Sequence, residues 1–251
     1  MRLDSYLVQE GYFSTRTKAK QAVERGEIYI DSKQVLKSSF DVSLGARIER
    51  ICEREYVSLG GFKLEKALKD FSFCVKDMVI ADVGASTGGF TDCLLKNGAK
   101  HVFSIDLRDD LLHDKLKTDK RVTLIVKNAK DLVQSDFSLP LDLIVADLSF
   151  ISLSSVISTF ADLIGDGKKL LLLIKPQFET GQKIKFKNGI IKDKKIHRQV
   201  CMNVYNCAIN YNLAPIDITT APIVEGKNTE FLILLEKGGK VALPNDFAKN
   251  I

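Results

Sequence analysis

Leu3, Tyr6 and Leu7 recur at helical spacing, and Gly11 closes the helix they predict. Ser14 can cap a second helix over residues 15–25, with Gly26 as its stop. Ile28 and Ile30 then alternate with polar neighbours, and Asp31-Ser32-Lys33 supplies a turn before Val35, so a hairpin should follow the two helices. Residues 51–77 read as a connector holding Gly60-Gly61 and a helical-looking stretch over 62–71. From Met78 the pattern changes to aliphatic blocks at 79–83, 102–105, 122–126, 143–146, 170–174, 216–218 and 231–235. Helical segments at about 88–96, 152–164 and 194–211 separate several of them. Strands alternating with helices predict an α/β domain with a mainly parallel, doubly wound, Rossmann-like sheet over 78–251, behind a small α+β module over 1–50.

Composition fits that division. The 251 residues are 45% hydrophobic and 27% charged, enough for one medium domain and a small one. A net charge of +5 permits an anionic partner without requiring one. The five cysteines (Cys52, Cys74, Cys93, Cys201, Cys207) are scattered, which points away from a disulfide framework or zinc site and toward a reducing compartment. His101, His113 and His197 share no ligand spacing, so no metal is expected. The start, Met1-Arg2-Leu3-Asp4, lacks a signal-peptide core, and no apolar run approaches the roughly 20 residues of a spanning helix. A soluble, cytoplasmic protein without a membrane span is the expectation.

In a doubly wound sheet, ligands bind beyond the carboxyl ends of the strands. The first long strand runs from Asp82 into Gly84-Ala85-Ser86-Thr87-Gly88, where glycines allow close approach and the next helix offers free N–H groups. The glycine spacing differs from the dinucleotide fingerprint, so an anion such as the α-carboxylate of S-adenosylmethionine fits better than pyrophosphate. A turn of this kind would by itself be compatible with no ligand. Asp106, closing the next strand, adds a carboxylate suited to both ribose hydroxyls of an adenosine. Asn128, after the third strand, is either an adenine contact or a plain turn residue.

The fourth strand ends at Asp147-Leu148-Ser149-Phe150 and the fifth at Lys175-Pro176-Gln177-Phe178-Glu179, which brings two charged groups to the ligand edge. Desolvation and neighbouring cations are how a strand-end lysine is tuned into a general base. Lys175 is therefore the candidate base, with Asp147 at the same ligand edge.

With Lys63 before the first strand and Glu230 opening the last, these residues resemble the Lys-Asp-Lys-Glu tetrad of FtsJ-like 2′-O-ribose methyltransferases. Further segments extend the likeness to residues 58–64, 84–93, 146–153, 175–179 and 226–230, and the whole chain resembles the TlyA family of rRNA 2′-O-methyltransferases. The resemblance implies S-adenosylmethionine as cofactor, held by Asp82, Gly84, Ala85, Ser86, Thr87, Gly88, Asp106, Asn128 and Asp147. It implies that Lys175 takes or relays the ribose proton, held by Asp147, while Lys63 and Glu230 orient the group. It also implies a cytidine of 23S rRNA as target, sometimes with one of 16S. The short run of chain before the first helix and after Glu230 resembles the shorter subtype, associated with the 23S site alone. Two departures stand out: Leu107-Arg108-Asp109-Asp110 replaces the family's usual glycine-aromatic-glycine stretch, and Lys130 stands where arginine is usual.

The N-terminal module resembles the small RNA-binding domain named after ribosomal protein S4, with Arg16, Lys18, Lys20 and Arg25 as candidate phosphate contacts. Charge alone would not single it out. A denser basic stretch begins at Lys183, Lys185 and Lys187 and runs to Arg198 with only Asp193 opposing it. It follows the candidate base directly, so it reads as a substrate-RNA contact. The rival readings are a membrane-active haemolysin, a non-catalytic RNA-binding assembly factor and a base methyltransferase. They lack, in turn, an amphipathic anchor, a reason to keep an intact tetrad, and a catalytic cysteine or Asn-Pro-Pro-Tyr-type motif.

Overall fold

The computed structural model describes residues 1–13, 15–24, 26–43, 45–50, 56–180, 189–224, 226–242, 247, 249 and 251. The chain separates into two compact units, Met1–Leu59 and Gly60–Ile251. Residues 60–77, the second part of the stretch read as a connector, cluster with the larger unit.

The small unit contains α1 (Leu3–Gln9), α2 (Arg16–Glu24), β1 (Ile28–Ile30), β2 (Lys33–Gln34) and β3 (Ile48–Arg50). Leu3, Leu7, Ala19, Val23, Ile28, Ile30, Val35 and Val42 form its core. Ser14, expected as the cap of α2, lies outside the described residues; Thr15 Oγ1 accepts from the Lys18 N–H at 3.3 Å. The hairpin is present, with Asp31 and Ser32 both at positive φ (49° and 63°), as a tight turn matching strand twist requires. A third strand, β3, pairs antiparallel with the other side of β1. Its lone Ile48 between charged neighbours gave no readable alternation.

The larger unit begins in α3 (Leu59–Asp70) and continues through β4 (Val79–Val83), α4 (Gly89–Lys96), β5 (His101–Asp106), α5 (Asp114–Lys117), β6 (Val122–Val126) and β7 (Leu143–Ala146). It is completed by α6 (Ile157–Leu163), β8 (Lys169–Ile174), α7 (Pro176–Glu179), α8 (Lys194–Ile209), β9 (Leu213–Thr220) and β10 (Phe231–Lys237). The seven strands lie in the order β6-β5-β4-β7-β8-β10-β9. Neighbours from β6 through β8 are parallel, whereas β10 runs antiparallel to both β8 and β9. The mainly parallel sheet predicted from the sequence is thus the one observed. Its central strands are aliphatic except for Asp82 in β4 and Lys169 at the start of β8, and every residue of β4 and β7 is buried, as expected of a sheet covered on both faces. From β4 the chain steps outward to β5 and β6, then returns to the other side of β4 as β7. That reversal opens a crevice beyond the carboxyl ends of β4 and β7, the place where such sheets bind ligands.

Candidate active site

On one side of this crevice, the turn after β4 is tied to β5. The N–H groups of Gly84 and Ala85 both donate to the Ile105 carbonyl, at 2.8 and 3.0 Å. Asp106, ending β5, accepts from the Ser86 N–H at 2.8 Å on one oxygen and from the Leu107 N–H at 2.7 Å on the other. Each oxygen keeps a further lone pair, so a held, bidentate acceptor is available to a vicinal diol. Gly84 has φ +83°, and a Cβ there would lie 2.8 Å from the Asp147 carbonyl oxygen. Gly88, at φ +92°, would put a Cβ 2.2 Å from the tip of Leu116. Both glycines thus serve close packing within the protein, with the turn on the Asp147 loop and α4 on α5.

Asp82 is fully buried beneath the turn. Its Oδ2 accepts from Thr91 Oγ1 at 2.6 Å, which in turn meets Ser104 Oγ at 2.8 Å, while Oδ1 has no hydrogen-bond partner among the described residues. Burial, opposed by the Thr91 bond and reinforced by Asp147 and Asp106, pushes this carboxyl up to about 7. The glycine turn, the unpartnered Asp82 oxygen and the Asp106 acceptor together fit a small zwitterionic nucleoside better than a pyrophosphate. Asn128 accepts from the Lys130 N–H at 3.0 Å, capping the turn Ala129–Asp131. The turn reading of this residue is the one the geometry shows.

Across the crevice, four charged side chains alternate in sign. Glu230 Oε2 lies 2.6 Å from Lys63 Nζ, Lys63 Nζ lies 3.9 Å from Asp147 Oδ2, and Asp147 Oδ1 lies 2.6 Å from Lys175 Nζ. The last contact is close but not aligned as a hydrogen bond. The aligned bond from Lys175 goes to Ser149 Oγ, at 2.7 Å. α3 supplies Lys63, the β7 and β8 ends supply Asp147 and Lys175, and Glu230 arrives from the opposite direction because β10 is antiparallel. Burial works against the Lys63 ammonium, but Asp147 and Glu230 outweigh it and hold its pKa above the ordinary lysine value. Lys175 is only 9% exposed. Burying lysines in this way is costly unless carboxylates accompany them, and here the formal charges of the four cancel.

The family described as FtsJ-like methyltransferase matches residues 56–237, and the S4 domain matches residues 1–48. The 16S/23S rRNA (cytidine-2′-O)-methyltransferase TlyA of Mycobacterium tuberculosis is 32% identical over 93% of this chain and 89% of its own length. This chain belongs to the TlyA family. Hemolysin A of Brachyspira hyodysenteriae is similar to it at 36% identity, over 92% of this chain and 98% of its own. A solved structure from Streptococcus thermophilus that carries a hemolysin name matches with a TM-score of 0.78 at 35% identity, covering 100% of this chain and 94% of its own. As an FtsJ-like methyltransferase of the TlyA family, the chain uses S-adenosylmethionine.

In the S4 domain of this TlyA-family chain, Lys18 is exposed and Lys20 lies 3.8 Å from Glu24. Arg16 is partly committed to the fold. Together with Arg2 it pairs with Asp4, at 3.1 and 2.8 Å, and Arg2 above all holds that buried carboxyl well below the usual range despite its burial. Arg25, Lys183, Lys185 and Lys187 lie outside the described residues. Downstream, Lys192, Lys194, Lys195 and Arg198 are exposed at the start of α8.

Sequence reasoning assigned no role to several residues that the structure brings to the site. Ser149 orients Lys175, as above. Glu179 accepts from Ser152 Oγ at 2.6 Å and the Leu153 N–H at 2.8 Å, joining the segment after Lys175 to the one after Asp147. Burial, opposed by these two bonds, raises its pKa. Phe150 is 90% exposed at φ +65°, its ring 5.1 Å from that of Phe178. A bulky residue held in that backbone region is an outlier that marks strain at a functional rim. An aromatic three residues after Asp147 was the available signal.

Proposed function

We propose that this protein methylates the 2′-oxygen of a ribose in ribosomal RNA, a cytidine of 23S rRNA in the first place. The alternating Glu230-Lys63-Asp147-Lys175 array at the sheet's ligand edge carries this reading. The nucleotide follows the TlyA resemblance, which implies 23S in general and 16S in some members.

S-adenosylmethionine supplies a methyl group on a sulfonium centre, already electrophilic, so the protein's work is alignment and proton handling. Asp106 would hold the ribose hydroxyls and the Gly84–Gly88 turn the amino-acid end, above the buried Asp82. At the other reactant, Lys175 would take or relay the proton of the ribose 2′-hydroxyl. Asp147 and Ser149 hold the resulting ammonium in place. Asp147 and Glu230 hold Lys63 as a cation against its burial, which suits it to orienting the hydroxyl rather than taking its proton. Phe150 offers a flat apolar face to the base of the target nucleotide, because every base can stack on an aromatic ring. The S4 domain provides RNA affinity and the larger unit the chemistry. Among the described residues no helix is long and apolar enough to cross a membrane.

Mapping 2′-O-methyls on 23S and 16S rRNA, from cells with and without this protein, tests the proposal. Loss of a cytidine 2′-O-methyl in 23S is the expected result, and an unchanged map in both rRNAs overturns it. Replacing Asp106 by Ala removes a charged acceptor for two hydroxyls, a loss of about 1.5–3 kcal/mol. Cofactor affinity should therefore fall roughly 10- to 100-fold by calorimetry. Unchanged affinity would show that Asp106 does not hold the ribose.

A further inference from the structure

Asn228 stands two residues before Glu230, and both ends of its side-chain amide are engaged elsewhere. Its Oδ1 accepts from the Ile191 N–H at 2.7 Å and its Nδ2 donates to the Gly189 carbonyl at 2.8 Å. One side-chain amide thus makes the paired bonds that a neighbouring strand would make. The Ile191 carbonyl lies 3.1 Å from His197 Nε2, and the His197 ring meets Phe231 edge-on at 5.5 Å. Both polar groups of Ile191 are therefore held by side chains, and its own side chain is buried. The clamp joins the strand start that carries Glu230 and Phe231 to the chain segment entering α8.

Just beyond that clamp, Lys192, Lys194, Lys195 and Arg198 are exposed, and no ion pair satisfies them among the described residues. Asp193 caps the helix by accepting from the Lys195 N–H at 2.8 Å. Cations in a first helical turn oppose the helix dipole, so this cluster is unfavourable unless an anion meets it. A polyanion such as RNA supplies that anion.

We propose that Asn228 is a positioning residue that fixes this basic face relative to Glu230. RNA phosphates caught at 192–198 then deliver the ribose to the tetrad in register. The proposal rests on the reading of RNA as substrate. Positioning of this kind acts on substrate capture and leaves the methyl donor's site alone.

The test uses the full chain, an rRNA transcript and S-adenosylmethionine. Asn228→Ala should raise the KM for RNA about tenfold, with cofactor Kd within twofold of the parent. The dependence of log KM on log salt should become shallower, because fewer phosphates are engaged. Lys194→Glu with Lys195→Glu, both exposed, should give the same signature, and the combination with Asn228→Ala should be less than additive. A fall in kcat alone, with KM and salt slope unchanged, would make Asn228 a support for Glu230 only and overturn the proposal. Should Asn228→Ala not fold, an unchanged KM and salt slope in the double charge reversal overturns it instead. A parent that binds the transcript but transfers no methyl would count against the proposed function. The clamp would still be read by RNA binding of the same variants and by hydrogen exchange at the Ile191 amide.

Discussion

Replacing Lys175 by Ala is expected to slow methyl transfer by about 10²–10⁴ in single-turnover measurements, the usual consequence of losing a positioned base. Cofactor and RNA affinity should stay within several-fold of the parent. The substitution leaves Asp147 paired with Lys63, so the site does not collapse around an unpaired carboxylate. Lys63 cannot stand in as a base: it lies on the far side of Asp147, bound to Glu230, and is held protonated. Lys175→Arg separates two roles for the residue. A guanidinium keeps the positive charge beside Asp147 but does not accept a proton near neutral pH, so it should fail to restore the rate. Rescue by arginine, or near-parental transfer by the alanine variant, would show that Lys175 contributes charge or nothing.

Gly84→Ala should be as damaging by a different route. At φ +83° any side chain costs about 1–2 kcal/mol of backbone strain. The added Cβ would also lie 2.8 Å from the main-chain oxygen of Asp147, which cannot swing aside as a side chain would. Either the cofactor turn or the catalytic loop must shift, and both cofactor binding and methyl transfer should fall by at least tenfold. Gly88→Ala, at φ +92°, meets only the flexible ends of Leu116 and Leu112. Its cost should appear mainly in melting temperature, with cofactor affinity reduced less. Calorimetry and thermal melts on the two variants decide this. Equal cofactor losses, or a Gly84 variant with parental activity, would refute the linkage of turn and catalytic loop.

Most strands of the larger unit were legible because they are short aliphatic blocks bounded by charge or glycine; β9 was read only at 216–218 because Pro215, Asp217 and the threonines interrupt the apolar pattern of Leu213–Thr220. The direction of β10 was not, since a strand buried on both faces reads the same in either sense. Asp147 and Lys175 could be picked out as strand-end charges in a ligand-binding edge. Lys63 and Glu230 could not, as an ordinary helix lysine and a strand-edge acid look alike in any surface; only the family resemblance singled them out. The Asn228 clamp was hidden because it joins a side chain to backbone groups 37 and 39 residues away. The Gly84 turn was recognised, but its tight partner proved to be the Asp147 carbonyl, a contact that no local pattern encodes.

The insertion of β10 between β8 and β9 has a consequence for biosynthesis. Among the described residues β9 pairs with no strand except β10, so when it is made its partner does not yet exist. Translation adds roughly 5–20 residues per second, and β4 through β8 can pair with neighbours already made. The unit therefore has to wait, with one strand unattached, until residues 231–237 bridge the gap. Glu230 enters with that bridge, after Lys63, Asp147 and Lys175 have been made. A nascent chain stalled before this point carries three members of the charged array without the fourth, leaving Lys63 short of its nearest carboxylate. On the proposed reading of the array, the site is complete only once β10 has closed the sheet.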